Sequence, residues 1–517
     1  MPISLGQWLK GQRSSTRIAY VLQMITRVGH ALLSFLWTPL LIGAMGKALY
    51  GTFLSFQSVA TLGGLGDLGM GGAINIETSR LLGKNEIPAL QRFLSVARAA
   101  FAGMAIVVVI LFAGLAPWLP QWLHFQATAG IGSMRLLFMI GGIAAGCMII
   151  NSYITNVNYG AVTLTWPIIP TFIAVQLSLL AHWLIASAAL PLWIQYIPYL
   201  GAIALQIVFA WVFLHRSHPE LSAVFSMTFD RKVMAGIIGK SFWVYLYCIG
   251  GTIFTLTDRL IINAGFGNTQ VPPYQLNIKL CELALFVIGT ASLVSTPKIA
   301  VWVASADPEV RQRGVAETLR LNRFQTFLGC AAVLVYLAIN DAFMRWWLGA
   351  EYQVPLAWQG AFAANLGVMA VGYAGFYLAP RCGPHGLRVG ALSVAAGVLT
   401  KVALSYLAMI HQSILLIAWS TAVSQSVIIL LSTWYVYRTI GTPWWKLAGL
   451  GWFLSLGLVA FAMFWKGSLW DRGAGGKAGF IVAAILLMWM TARVIGISAT
   501  DLKAELAAAR AIFGSRQ

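Results

Sequence analysis

The sequence predicts an all-α polytopic membrane protein of about 14 transmembrane helices. Three observations carry that reading. The chain of 517 residues is 59% hydrophobic and only 9% charged, whereas a soluble protein carries about 25% charged residues. Its apolar runs are long enough to cross a bilayer, at about 20 residues per helix with 1.5 Å rise each. Its Lys and Arg residues collect in alternate connecting segments, as cytoplasmic loops require.

The expected spans are, in order, 17–45, 49–79, 95–116, 134–156, 160–187, 191–214, 238–265, 272–297, 321–341, 355–379, 386–409, 411–437, 446–465 and 478–498. The breaks at Asn156–Gly160, Pro191 and Ile410–His411 are short, and a kinked single helix is the alternative at each. Met1–Arg17 is polar, and the apolar run after it lacks a small-residue cleavage site, so the first helix is expected to remain as an anchor. With the N-terminus inside, 24 basic residues fall in cytoplasmic segments and 6 in outside segments. That bias puts both termini in the cytoplasm. In this setting the net charge of +19 marks loops and not nucleic-acid binding. Tryptophans at span ends, such as Trp118, Trp122, Trp346, Trp347, Trp444 and Trp445, suit an interfacial belt. Five cysteines, Cys147, Cys248, Cys281, Cys330 and Cys382, offer no framework, and neither disulfide nor metal site is expected.

The two halves rhyme. Pro88 introduces Leu90, Phe93, Leu94 and Ala97 at helical spacing after span two. Asp307 as N-cap and Pro308 at the first helical position introduce Val315 and Leu319 after span eight. Both stretches read as cytoplasmic surface helices leading into the next span. The outside segments Ala116–Leu123 and Asp341–Leu348 also match in pattern. The expected organisation is a lobe of six spans over 1–214 and a cytoplasmic linker over 215–239. A second lobe over 240–437, two extra spans over 438–498 and an amphipathic tail over 499–517 follow. Six is even, so a pseudo-two-fold along the membrane normal would relate the lobes.

Charges inside spans are the candidate functional residues, because each costs about 2.5–3.5 kcal/mol at a helix centre unless it meets water or a partner. Span seven runs uncharged from Ser241 to Thr257 and then carries Asp258 and Arg259. Adjacent helical residues point about 100° apart, so these two cannot share one direction. Span two holds Asp67 among Gly63, Gly64, Gly66, Gly69, Gly71 and Gly72, which serve either close helix packing or bending. Arg27 in span one is a candidate ion-pair partner for Asp67. On helix propensity alone, alanine at Gly66 and Gly69 is expected to stabilise span two by roughly 1 kcal/mol per site. Lys279 and Glu282 lie three apart and can pair on one face. Lys401 has no acidic residue near it in sequence and either snorkels or faces a lumen. His30, His182 and His411 are isolated and read as satisfied helix histidines. No catalytic triad, phosphate-binding loop or metal-ligand spacing appears in the sequence.

Four segments carry a resemblance: Gly46–Ile74, Thr257–Leu280, Ser295–Val310 and Trp346–Tyr352. In order and spacing they resemble the polysaccharide-exporter branch of the MOP superfamily. That branch includes the Wzx-type O-antigen flippases and is related to MurJ-type lipid II flippases and MATE exporters. The resemblance implies two six-helix lobes, alternating access, and a polyprenyl-diphosphate-linked sugar as cargo. Tyr50, Asp67, Asp258, Arg259 and Tyr274 fall on the family's patterned positions, while the Pro272–Pro273 pair departs from it.

The leading expectation is thus a non-enzymatic flippase of a bacterial cytoplasmic membrane, moving an undecaprenyl-diphosphate oligosaccharide for surface polysaccharide or O-antigen synthesis. Arg27, Arg259, Lys279, Lys401, Asp67 and Asp258 are its candidate substrate contacts, since the embedded balance favours an anion. The other partners expected are the lipid bilayer and H+ or Na+ as coupling ion; no cofactor or nucleic acid is expected, and the chain is taken as a monomer. A MATE-like cation-coupled exporter and a membrane glycan polymerase or ligase are the alternatives. The outside segments are short for the last of these.

Overall fold

A computed structural model describes residues 5–67, 69–83, 85–118, 121, 131–161, 168–218, 227–303, 305, 307–446, 448–470 and 473–497. Among them the chain is helical, without strands. The expected tail over 499–517 lies outside the described residues. Among the described residues, eleven helices are long and apolar enough to cross a membrane, by length and composition. The protein is therefore a multi-pass membrane protein.

Helix α1 runs from Leu5 to Gly64 and carries the first expected span and the start of the second, separated at Gly46 with φ 76° and ψ 160°. That conformation is open to glycine and strained for other residues. The second span does not run straight through its glycines. A 3-10 turn over Leu65–Asp67 and Gly69 at φ 71° interrupt it before α2, Met70–Gly83. Helix α3, Ile87–Leu115, is continuous, so the expected surface helix and the next span form one rod. Leu90, Phe93, Leu94 and Ala97 are all buried on it.

Two of the three short breaks are real, at Pro191 and at 410–413; the expected break at Asn156–Gly160 is instead helical to its last residue. Helix α4, Ile131–Gly160, ends before α5, Ile168–Ser187. Pro191 caps the short α6, Leu192–Gln195, which leads to α7, Ile197–Ser217. Helix α8, Arg231–Phe266, starts at Asp230, whose carboxylate accepts from the N–H groups of Lys232 and Val233. Then come α9, Val271–Asn277, and α10, Lys279–Val303, so the Pro272–Pro273 pair opens span eight as a separate helical piece. Helix α11, Pro308–Trp347, is capped by Asp307 as expected, the carboxylate accepting from Glu309 N–H at 2.9 Å. It is followed by α12, Leu356–Leu378, and α13, Gly383–Ile410. A turn through Gln412 at φ 48° then gives α14, Ile414–Thr439. Helices α15, Ala448–Ser468, and α16, Ala474–Ile495, are the last of the described helices.

The helices gather into two compact units, Met1–Pro272 and Pro273–Gln517. In the first, α3 packs on α4, α4 on α7, and α8 on α1, α2 and α3. Helix α8, which holds Asp258 and Arg259, therefore groups with the helices that precede it. In the second unit α12 is central, packing on α10, α11, α14 and α15. Its sequence explains the position. Apolar side chains gain little over lipid by meeting one another, so helices associate where small residues let backbones close up. A Cβ at Gly367 would overlap the Ser455 hydroxyl, one at Gly372 would overlap Ile429, and one at Gly375 would lie 2.5 Å from the Thr433 hydroxyl.

A polar network fastens the second unit. Lys466 on α15, only 8% exposed, meets the Asp341 carboxylate of α11 at 2.6 Å. It also donates to the Leu337 carbonyl at 2.8 Å and the Gln359 side-chain oxygen at 3.1 Å. Gln359 in turn donates to Asp341 at 2.6 Å. Asn277 donates to the carbonyls of Pro273 and Tyr352 and accepts from Asn340 at 2.8 Å. Every heavy donor is satisfied within the protein, as burial away from water demands.

Candidate functional site: intramembrane charges

Asp67 sits at the interruption of the second span, half-buried, on the last residue of the 3-10 turn. Its two oxygens accept from Ser152 Oγ at 2.7 Å and from the Gly69 N–H at 3.1 Å. Asn156, one turn on, donates to the Ser152 carbonyl at 2.8 Å and to Ser152 Oγ at 3.3 Å. The carboxylate thus stabilises the break in its own helix and ties it to α4. The glycines around it do both things the sequence left open. Gly69 supplies the positive φ, and a Cβ there would stand 2.6 Å from Tyr245 Cα on α8. A Cβ at Gly66 would stand 2.8 Å from Val108 on α3. These contacts overturn the expectation that alanine stabilises these positions, because helix propensity acts only where the residue is helical and has room. The Arg27 side chain lies outside the described residues, so its expected pairing with Asp67 is not described.

Asp258 and Arg259 lie on α8 at 4% and 9% exposure. The hydroxyl of Ser55 donates to the Arg259 carbonyl at 3.5 Å, which sets this turn against α1. Four residues earlier on α1, Gly51 meets the carbonyl of Asn268, which a Cβ would overlap. Asn268 donates to Thr52 Oγ1 at 3.0 Å. The second span and the end of α8 are therefore in close register, with both charges inside the packing.

Lys279 on α10 makes the expected pair with Glu282 at 3.0 Å, the side chains 29% and 34% exposed. Gln275 donates to the other Glu282 oxygen at 3.1 Å. Lys401 on α13 is 1% exposed and neither snorkels nor stands in the open. Its ammonium donates to Ser420 Oγ at 2.9 Å, to Thr421 Oγ1 and to the Ile417 carbonyl at 3.5 Å, bridging α13 to α14. His182 is held as a helix histidine, its Nδ1 2.7 Å from the Ser178 carbonyl, with its ring against Phe53.

Asp67, Asp258 and Arg259 thus belong to the first unit, and Lys279 and Lys401 to the second. Sequence reasoning passed over Lys466, the most enclosed ion-pairing lysine of its unit, because it counted as a loop charge at the end of a span. It lies in the last turn of α15 and snorkels inward to Asp341.

No family model matches the chain, and no curated protein sequence does. Solved structures do. The lipid II flippase MurJ in an inward closed conformation superposes with a TM-score of 0.64 at 10% identity, over 92% of this chain and 98% of that one. An inward-facing multidrug resistance MATE transporter of the MOP superfamily gives 0.58 at 13% identity, over 82% and 94%. The eukaryotic MATE transporter AtDTX14 gives 0.52 at 13% identity, over 86% and 99%. The chain has the fold of these transporters. At such identities the likeness concerns architecture, and the functional reading rests on the charges that the fold carries.

Proposed function

We propose that this protein is a flippase that moves a polyprenyl-diphosphate-linked oligosaccharide across a bacterial cytoplasmic membrane by alternating access, for surface polysaccharide or O-antigen synthesis. The observation that carries the reading is a basic intramembrane inventory on a fold shared with a lipid II flippase over 92% of the chain. Arg259 on α8 and Lys401 on α13 are buried basic groups, and Lys279 on α10 is a third, half-shielded by Glu282. A diphosphate presents acceptors matched to a guanidinium fork. Arg259 is the foremost cargo contact, with Arg27 next and Lys279 and Lys401 after them. Asp67 and Asp258 set the local field and the shape of their helices. Both termini lie in the cytoplasm, H+ or Na+ is the coupling ion, and the protein acts as a monomer on a two-lobed plan over 1–214 and 240–437.

One observation favours a second reading. Asp67 is a half-buried carboxylate at a helix break, the kind of group a cation-coupled exporter would use. Proteoliposomes separate the two. A fluorescent polyprenyl-diphosphate oligosaccharide should change leaflets only when the protein is present. Export of a lipophilic cation, with no movement of the lipid-linked sugar, would replace the flippase reading by the exporter one.

A further inference from the structure

A second feature of the first unit has no part in cargo movement as proposed above. Helices α3, α4 and α7 line a pocket of about 500 Å³, within the roughly 300–1,000 Å³ range of small-ligand pockets. Its walls are apolar: Leu94 and Phe101 from α3, Ile150 and Ile154 from α4, Ile207 and Val208 from α7. Three lining residues stand apart from these walls: Arg98 on α3, His215 on α7 and Met227, and His215 and Arg216 form the basic last turn of α7. On α7 the apolar lining runs for about 12 Å from His215 back to Ile207, eight residues at 1.5 Å each, while on α3 Arg98 stands between Leu94 and Phe101.

The rim is organised. The Arg98 guanidinium hydrogen-bonds the Tyr153 hydroxyl, which itself donates to the Leu94 carbonyl at 3.1 Å. The His215 ring stacks on Trp211 at 5.6 Å with 7° between planes. Asp230, the acidic group in the segment beside Met227, is engaged by Arg92 at 2.5 Å. The cavity opens sideways, since Val208 and Trp211 are 52% and 39% exposed on the outer side of α7. A basic rim over an apolar slot on a membrane-spanning unit suits an amphiphile with an anionic head.

We propose that α3, α4 and α7 form a site for one anionic phospholipid, with an acyl chain in the apolar slot and its phosphate on Arg98 and His215. A phospholipid fits better than a polyprenyl phosphate, whose far longer chain would leave most of its length outside a slot of this depth. Under the charge bias of the loops, the rim faces the cytoplasmic leaflet, where anionic lipids meet basic side chains.

Native mass spectrometry of the full chain tests this, with added phosphatidylglycerol, phosphatidylcholine or undecaprenyl phosphate. A diazirine-bearing phosphatidylglycerol locates the site by labelled peptide. The expected result is retention of phosphatidylglycerol about tenfold over phosphatidylcholine, with Arg98→Gln lowering it about fivefold. Val208→Trp sits at an exposed position and fills the slot from the lipid side, so it should remove the label from α7 while leaving the chain folded. Equal retention of the two phospholipids, preferred retention of undecaprenyl phosphate, or labelling indifferent to Val208→Trp would each overturn the proposal. None of these outcomes depends on whether the protein flips a sugar.

Discussion

At the scale of single residues, burial decides what each charge can do. Arg259 is anchored to α1 through its main-chain carbonyl, so replacing its side chain leaves that contact intact. Arg259→Lys keeps the charge and loses the fork, and transport should fall in part. Arg259→Ala should reduce it by about tenfold or more, on the scale of a lost charged hydrogen bond. The flipping assay checks both at matched protein amounts, and full activity of Arg259→Ala would remove it from the cargo path. Lys466 serves structure instead. Lys466→Met leaves Asp341 beside Gln359 without its cation and should cost about 1–3 kcal/mol, read as a lower unfolding temperature in detergent. A partial rescue by Asp341→Leu in the same chain would show that the loss comes from the stranded carboxylate. Outside the membrane, Asp230 illustrates the sign of a pH effect. The N–H of Val233, then Arg92, then Lys232 hold its carboxyl below the usual carboxylate range. A depressed carboxyl stabilises the folded state above its unfolded value and loses that contribution as pH falls through the folded one. The protection of amides in the first turn of α8, measured against their intrinsic exchange rates, should therefore fall on acidification through the carboxyl range, and Asp230→Asn should flatten that response.

At the scale of elements, the breaks carry more information than the helices. Gly46, Pro191 and the 410–413 turn were legible because chain reversal needs special residues. The interruption at 65–69 was half legible. Six glycines marked it, but no local pattern could say that Gly69 is left-handed and pressed on α8. Gly69→Ala should destabilise the protein by about 1–2 kcal/mol from the backbone alone, with a further loss from the Tyr245 overlap. Thermal unfolding of that variant, compared with Gly103→Ala where a Cβ meets nothing within 4 Å, provides the control. A Gly69→Ala protein as stable as the parent would show that the break straightens without strain. The pairing of α15 with α11 and α12 was hidden for another reason: Lys466 lies 129 residues from Leu337 and 107 from Gln359, and periodicity within a helix does not report who faces whom.

At the scale of the whole molecule, charge and hydropathy made the architecture legible and left the partition of its helices to the structure. The apolar runs placed most helices to within a few residues. They did not show that α8 gathers with the first six spans into the unit ending at Pro272. The proposed orientation rests on loop charge, 24 basic residues against 6. A reporter fused at Arg438 should read cytoplasmic and one at Asp471 external; an external signal at Gln517 would invert the arrangement. The Lys466–Asp341 clasp also bears on how the protein is made. The acid leaves the ribosome long before its lysine, so α11 and α12 enter the membrane with an anchor still to be matched. The second unit is then completed by its last hairpin, and a chain stopped at residue 437 would present an unfinished, acid-bearing surface to quality control. Helix α15, which brings Lys466 to Asp341, is in this sense a late step in the folding of this unit.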